Sequence, residues 1–315
     1  MIGDIPTKKK LASLYQPSQE VADLTKDWKK DYQIGHDINN KSWPELDDLS
    51  VIQCMNEDKA DFNSNVPPAS LDPDDAWKWR GTRATSRKKM MTTYAHLTSS
   101  YVIPSFFAQN DMDEDDKDFA EVMKDCVEWL ACNSNYFQSF LLVVIGTLVN
   151  PVTYLQAEWY EVYQIIKEKQ ASGGYTKKEI LDEVLSGFNA DVLTPDRVLI
   201  TNAHQQNIQR QNKIFIVKYT DLDELKAKYG HHKNWFFVEA LGPGIRSVFN
   251  EADGLFYDVK DDQNPTLAQE VIGMSRREDL EIPWVNGIYL GDDDVDENPM
   301  RHRDSRGAPK YNVIP

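Results

Sequence analysis

The sequence is most constrained over residues 193–230, LTPDRVLITNAHQQNIQRQNKIFIVKYTDLDELKAKYG. Thr194-Pro195-Asp196 opens the stretch as a turn, because proline fixes φ and the flanking Thr and Asp can bond the backbone. Residues 197–201 read as a short β-type run, and residues 202–212 as a polar crossing without glycine. In residues 213–219, Ile214, Ile216 and Lys218 alternate against Phe215, Val217 and Tyr219, the two-residue period of a strand. Thr220 is placed to cap a helix with Asp221, Asp223 and Glu224 in its first turn and Leu222 and Leu225 on its apolar side. Gly230 stops that helix after Lys226 and Lys228. Strand, crossing, strand and capped helix form an α+β unit, and nothing in it is catalytic.

The surrounding chain sets bounds on that unit. Its 315 residues can bury a substantial core and suggest about two domains. With 51 Asp and Glu against 35 Lys and Arg, the net charge of −16 disfavours binding phosphate through the average surface. Cys54, Cys126 and Cys132 have no ligand spacing and read as reduced thiols. The start lacks the apolar run of a signal peptide, and residues 140–149 are too short an apolar run to span a bilayer; they read as core.

Residues 1–75 read as a loosely ordered arm with sparse apolar positions. Its isolated aromatics Trp28, Trp43 and Phe62 are anchors, onto the main body or onto a neighbouring subunit. The acids around Pro73 begin a helix. Residues 76–110 hold no acid, yet carry Lys78, Arg80, Arg83, Arg87, Lys88 and Lys89. Two readings stand open for these six cations: a solvated helix face pairing with acids elsewhere, or a contact for a phosphate backbone or an acidic partner subunit.

Residues 111–125 reverse the balance, with eight acids against Lys117 and Lys124. Acids crowd the first turn of a helix striped by Phe119, Val122, Met123, Cys126, Trp129 and Leu130, which makes Cys126 a core thiol. Residues 137–149 form a second apolar helix, expected to be buried on most sides. Residues 152–166 fit either a strand or a helical stripe, and residues 177–185 read as a short helix. From residue 231 onward the texture is β at 235–238, 256–259, 269–274 and 281–289. Asn286-Gly287 is a hairpin turn within the last of these.

The sequence carries several near-matches to reactive constellations. Asp292, Asp294 and Asp296 have the spacing of a calcium loop, but Glu297 stands where glycine is needed and Arg303 where glutamate is needed. Asp111, Asp113 and Asp115 fail likewise, with Asp116 and Val122 at those positions. Gly242-Pro243-Gly244 matches neither phosphate-binding glycine pattern, and His231-His232 has no metalloprotease companion. Ser139, Ser186 and Ser247 lie in no nucleophile elbow. No catalytic residue, metal site or cofactor is expected.

The ordered set Pro195, Asp196, Val198, Leu199, Ile200, Ile208, Gln209, Gln211, residues 221–225, Tyr229 and Gly230 resembles the portal proteins of short-tailed bacterial viruses. The resemblance covers roughly residues 77–315 and rests on the order of many weak features. It implies an α+β fold with a helical and mixed-sheet wing-like body at 76–234, leading into a β-rich stem- and clip-like region at 235–315. It favours strand for the first half of residues 152–166. It also implies a structural subunit that assembles with itself into a ring, a dodecamer in the family, through which viral double-stranded DNA is packaged and ejected. The implied partners are the major capsid protein, the terminase and a tail adaptor, in the virion and in the host cytoplasm during assembly, with no membrane. Family members continue with a returning stem helix and a crown, so this sequence is expected to correspond to an N-terminal portion. The competing reading is a non-catalytic adaptor module of a viral assembly without DNA passage.

Overall fold

The computed structural model describes residues 15–63, 85–99, 105–110, 112–160, 163–169, 175–181, 186–205, 207–242, 245–246, 258–259, 266–292 and 295–315. In chain order the helices are α1 (Gln19–Asn40), α2 (Val51–Phe62), α3 (Thr85–Leu97), α4 (Glu114–Asn133), α5 (Tyr136–Val149), α6 (Leu222–Tyr229) and α7 (Trp235–Leu241). The strands are β1 (Tyr154–Tyr160), β2 (Tyr163–Lys169), β3 (Tyr175–Leu181), β4 (Gly187–Leu193), β5 (Val198–Ile200), β6 (Ile214–Asp221), β7 (Ile245–Arg246), β8 (Asp258–Val259), β9 (Leu267–Ser275), β10 (Leu280–Val285), β11 (Ile288–Tyr289) and β12 (Val313–Ile314). The fold is α+β, and it divides into two compact units. One takes in the described residues up to Cys54 together with Pro195–Tyr311; the other is Met55–Thr194 with Asn312–Pro315.

In the first unit a five-stranded antiparallel sheet runs β11-β10-β9-β6-β5. Side chains alternate across a strand, so Val271, Ile282 and Trp284 point to one face while Ala268 and Val285 point to the other. The first face packs with Phe215 and Val217 against Val21, Trp28 and Tyr32 of α1. The second packs against Leu225 and Tyr229 of α6 and Trp235, Val238 and Leu241 of α7. Covering both faces explains why β6 is buried continuously from Ile214 to Val217, with polar alternation only at its far end.

The N-terminal segment departs from the expected loose arm, because residues 19–40 are one helix on the sheet. Its buried positions Val21, Trp28, Tyr32, Gly35 and Asn39 recur at helical spacing. Ser18 caps it, accepting from Val21 N at 3.3 Å. Trp28 is an anchor onto its own chain, with its ring centroid 5.9 Å from Phe215 and 5.8 Å from Trp284. Gly273 makes that approach possible: a Cβ there would lie 2.6 Å from the Trp28 ring. The domain boundaries therefore differ from those expected, since residues before Cys54 join the sheet after Pro195.

Other elements differ locally. Residues 235–241 are helical, with Trp235, Val238 and Leu241 three apart on one buried side and Gly242 ending the helix at φ 72. The stretch read as a helix at 177–185 is strand β3 as far as Leu181. It pairs with β2 from Tyr163↔Leu181 to Lys169↔Tyr175, so a partner strand overrides local helix propensity. Both halves of the ambiguous 152–166 stretch are strand. The helix after β6 is capped at Asp221, because pairing with β9 extends the strand through Asp221↔Leu267 and takes up Thr220. The Asn286-Gly287 turn forms as expected, both residues having positive φ (47 and 86).

In the second unit β12, β1 and β4 form a three-stranded antiparallel sheet. Helix α5 lies against β4. Asn135 just before it copies a strand backbone, accepting from Ala190 N at 3.0 Å and donating to Ala190 O at 3.3 Å. Ser139 donates to the same carbonyl. Helices α3 and α4 both pack on α5 and scarcely meet each other.

Candidate interaction surface

Helix α4 begins as the sequence dictates. Asp113 caps it by accepting from Asp115 N at 3.1 Å, and Glu114, Asp115 and Asp116 fill the first turn, where the helix dipole favours negative charge. Its lower side, toward Ala120, Met123, Val127, Leu130 and Ala131, is partly or fully buried. Its other side is uncovered: Phe119 is 66% exposed, Val122 57% and Trp129 59%. Cys126 lies in the same row and is exposed, which corrects its reading as a core thiol. At about 100° per residue, Asp115 lies in line with this row and Asp118 and Asp125 flank it on one side. All three are exposed, and none is in an ion pair among the described residues.

An apolar row of this kind is unusual on a self-sufficient unit, since large contiguous apolar patches mark interaction sites. Helix α5 is mostly half-buried instead of enclosed, with Phe137 and Leu142 about half exposed. Phe107 and Met112, beside the start of α4, are almost fully exposed. No single helix among the described residues is long and apolar enough to cross a membrane, and α4 and α5 are bent by 74° where they meet.

Of the six expected contact cations, Lys78, Arg80 and Arg83 lie outside the described residues. Arg87, Lys88 and Lys89 form the exposed first turn of α3. The Arg87 guanidinium stands 5.4 Å above the Phe62 ring, and none of the three meets a carboxylate among the described residues. The outward face of α3 continues from Lys88 through Met91 and Ala95, at i, i+3 and i+7.

The acidic runs that failed the calcium-loop pattern have other roles where they are described. Asp113 is a helix cap, Asp111 and Asp294 lie outside the described residues, and the Asp292 N–H donates to Asn298 Oδ1 at 2.9 Å. No group of three or more His, Cys, Asp or Glu among the described residues is arranged to hold a metal. His231 and His232 stack on each other at 4.3 Å. The one fully buried carboxylate described in the sheet, Glu270, is taken up by Lys228 Nζ at 2.8 Å and the Tyr229 hydroxyl at 2.7 Å. Both donors reach Oε1, so this carboxylate is held by structural partners.

The exposed row was missed in the sequence because one apolar stripe was assigned to one core. The signal was present in its width: with Val127 and Ala131 added, apolar positions cover more than half the circumference of α4, more than one packed face requires. Comparison with protein-family models finds no match, and comparison with curated proteins finds none either.

Proposed function

We propose that this chain is a structural ring subunit, the portal at one vertex of a tailed bacterial virus, through which double-stranded DNA is packaged and ejected. The observation that carries the reading is the exposed row Phe119, Val122 and Trp129 on α4. Burying a Val, Leu or Phe side chain is worth about 1.5–3 kcal/mol, so a row of this size rewards a covering partner strongly. The resemblance of residues 195–230 to portal proteins names that partner as further copies of the chain. In this reading the subunit works through shape and surface charge, and the capsid protein, terminase and tail adaptor meet it in the assembling virion.

Native mass spectrometry and negative-stain imaging of the full-length gene product test the reading directly. A closed multi-copy ring with a central hole is the expected result. A monodisperse monomer at micromolar concentration would overturn it and leave the adaptor reading in its place.

A further inference from the structure

We infer that successive subunits join head to tail through α3 of one copy and α4 of the next. The inference rests on the ring reading and adds to it the two surfaces that meet. A ring needs a heterologous contact, in which two different patches of each subunit engage its two neighbours. Helices α3 and α4 supply two such patches, because α5 packs against both and separates them.

The patches are complementary in charge. Helix α3 opens with Arg87, Lys88 and Lys89 and has no acid in its first turn. Helix α4 opens with Glu114, Asp115 and Asp116 and has Asp118 and Asp125 beside its exposed row. None of Lys88, Lys89, Asp115, Asp118 or Asp125 is in an ion pair among the described residues. Opposed potentials of this kind fix register and exclude wrong pairings.

The patches are also complementary in their apolar parts. Beyond its cations the outward face of α3 presents Met91, 40% exposed, and the small Ala95. Beyond its first acids, α4 presents Phe119, Val122, Cys126 and Trp129. Charge precedes apolar surface in both helices, so a parallel alignment in one register sets Lys88 opposite Phe119 and next to Asp118, Met91 beside Val122 and Ala95 beside Cys126. The small side chain of Ala95 leaves room for the Trp129 indole one turn further on.

Two charge-reversed variants of the full-length protein test this. One carries Lys88→Glu and Lys89→Glu; the other carries Asp115→Lys and Asp118→Lys. All four positions are exposed, and circular dichroism checks that each variant folds. Each variant alone is expected to lose at least about tenfold of its ring fraction at moderate salt, because like charges then face each other. Mixing the two is expected to restore rings, with the variants alternating. Rings from either variant alone at the wild-type level would overturn the pairing while leaving the ring reading intact. Failure of the mixture to restore rings would overturn it too, whereas a wild-type chain that forms no ring removes the reading on which it rests. As a second readout, Ala95→Cys is expected to cross-link to Cys126 of the adjacent copy on mild oxidation, giving a covalent ladder that Cys126→Ser abolishes. A ladder that survives Cys126→Ser counts against the parallel alignment and the pairing with it.

Discussion

Glu270 sits in the middle of β9 with its carboxylate inside the protein, and its environment sets a pH dependence. Burial pushes the Glu270 carboxyl up, but the Lys228 ammonium and the hydrogen bonds from Lys228 and Tyr229 outweigh burial and hold it below its ordinary value. The same setting pushes the Tyr229 phenol well above its ordinary value, through burial first and the adjacent negative charge second. A depressed carboxyl contributes stability that is complete above its unfolded value and is lost as pH falls through the folded one. The wild type should therefore lose more stability than Glu270→Gln as pH drops below the ordinary glutamate value of 4.5. Urea denaturation of both proteins across that range measures the difference; equal slopes would mean that the carboxylate is not held by its neighbours. A second residue-scale test concerns Gly273, where a Cβ would lie 2.6 Å from the Trp28 ring and 2.9 Å from the Trp284 ring. Both indoles are fully buried, so Gly273→Ala should cost about 1–3 kcal/mol through overpacking. In a Trp28→Phe background the cost should shrink, since residues in contact do not add.

Among the elements, α1 changes most between sequence and structure. Its apolar positions Val21, Leu24, Trp28 and Tyr32 are three and four residues apart, but the polar residues between them obscure the stripe without the sheet beneath. What completes the stripe is the close approach at Gly35 and Gly273, some of it made by residues more than two hundred positions along the chain. Asn39 adds a buried bond from its side-chain amide to Pro195 O at 2.9 Å. The amides of residues 28–39 should consequently exchange with solvent as slowly as those of β6, in hydrogen exchange followed by mass spectrometry. Exchange of that segment within seconds would restore the loose-arm description. Elements whose signals are local were legible from the sequence: β6 from its alternation, α4 from its acid-rich first turn, and the β10–β11 hairpin from Asn286-Gly287. Helix α7 and strand β3 were not. Short runs such as WFFVEAL satisfy both periods, and β3 takes its conformation from pairing with β2. In the candidate surface the cations of α3 were legible as charge. That they meet no carboxylate among the described residues, and the exposure of Phe119 and Trp129, become visible only once packing decides which side of each helix is covered.

For the whole molecule, charge is the property that bears on DNA passage. Duplex DNA carries about one negative charge per 1.7 Å of axis, and each Lys or Arg that neutralises a phosphate adds salt-sensitive affinity through counterion release. A conduit that bound its cargo in this way would hold it in place. A chain with a net charge of −16 is suited to letting a duplex slide, provided that its clustered cations face protein. The pairing of α3 with α4 assigns Arg87, Lys88 and Lys89 to such a protein contact. The assembled ring should therefore bind duplex DNA only weakly. Gel-shift titration of the ring at low salt, repeated at increasing ionic strength, measures the affinity and its salt slope. Nanomolar affinity with a steep salt slope would show phosphates neutralised by many cations, and the sliding-conduit account would fail.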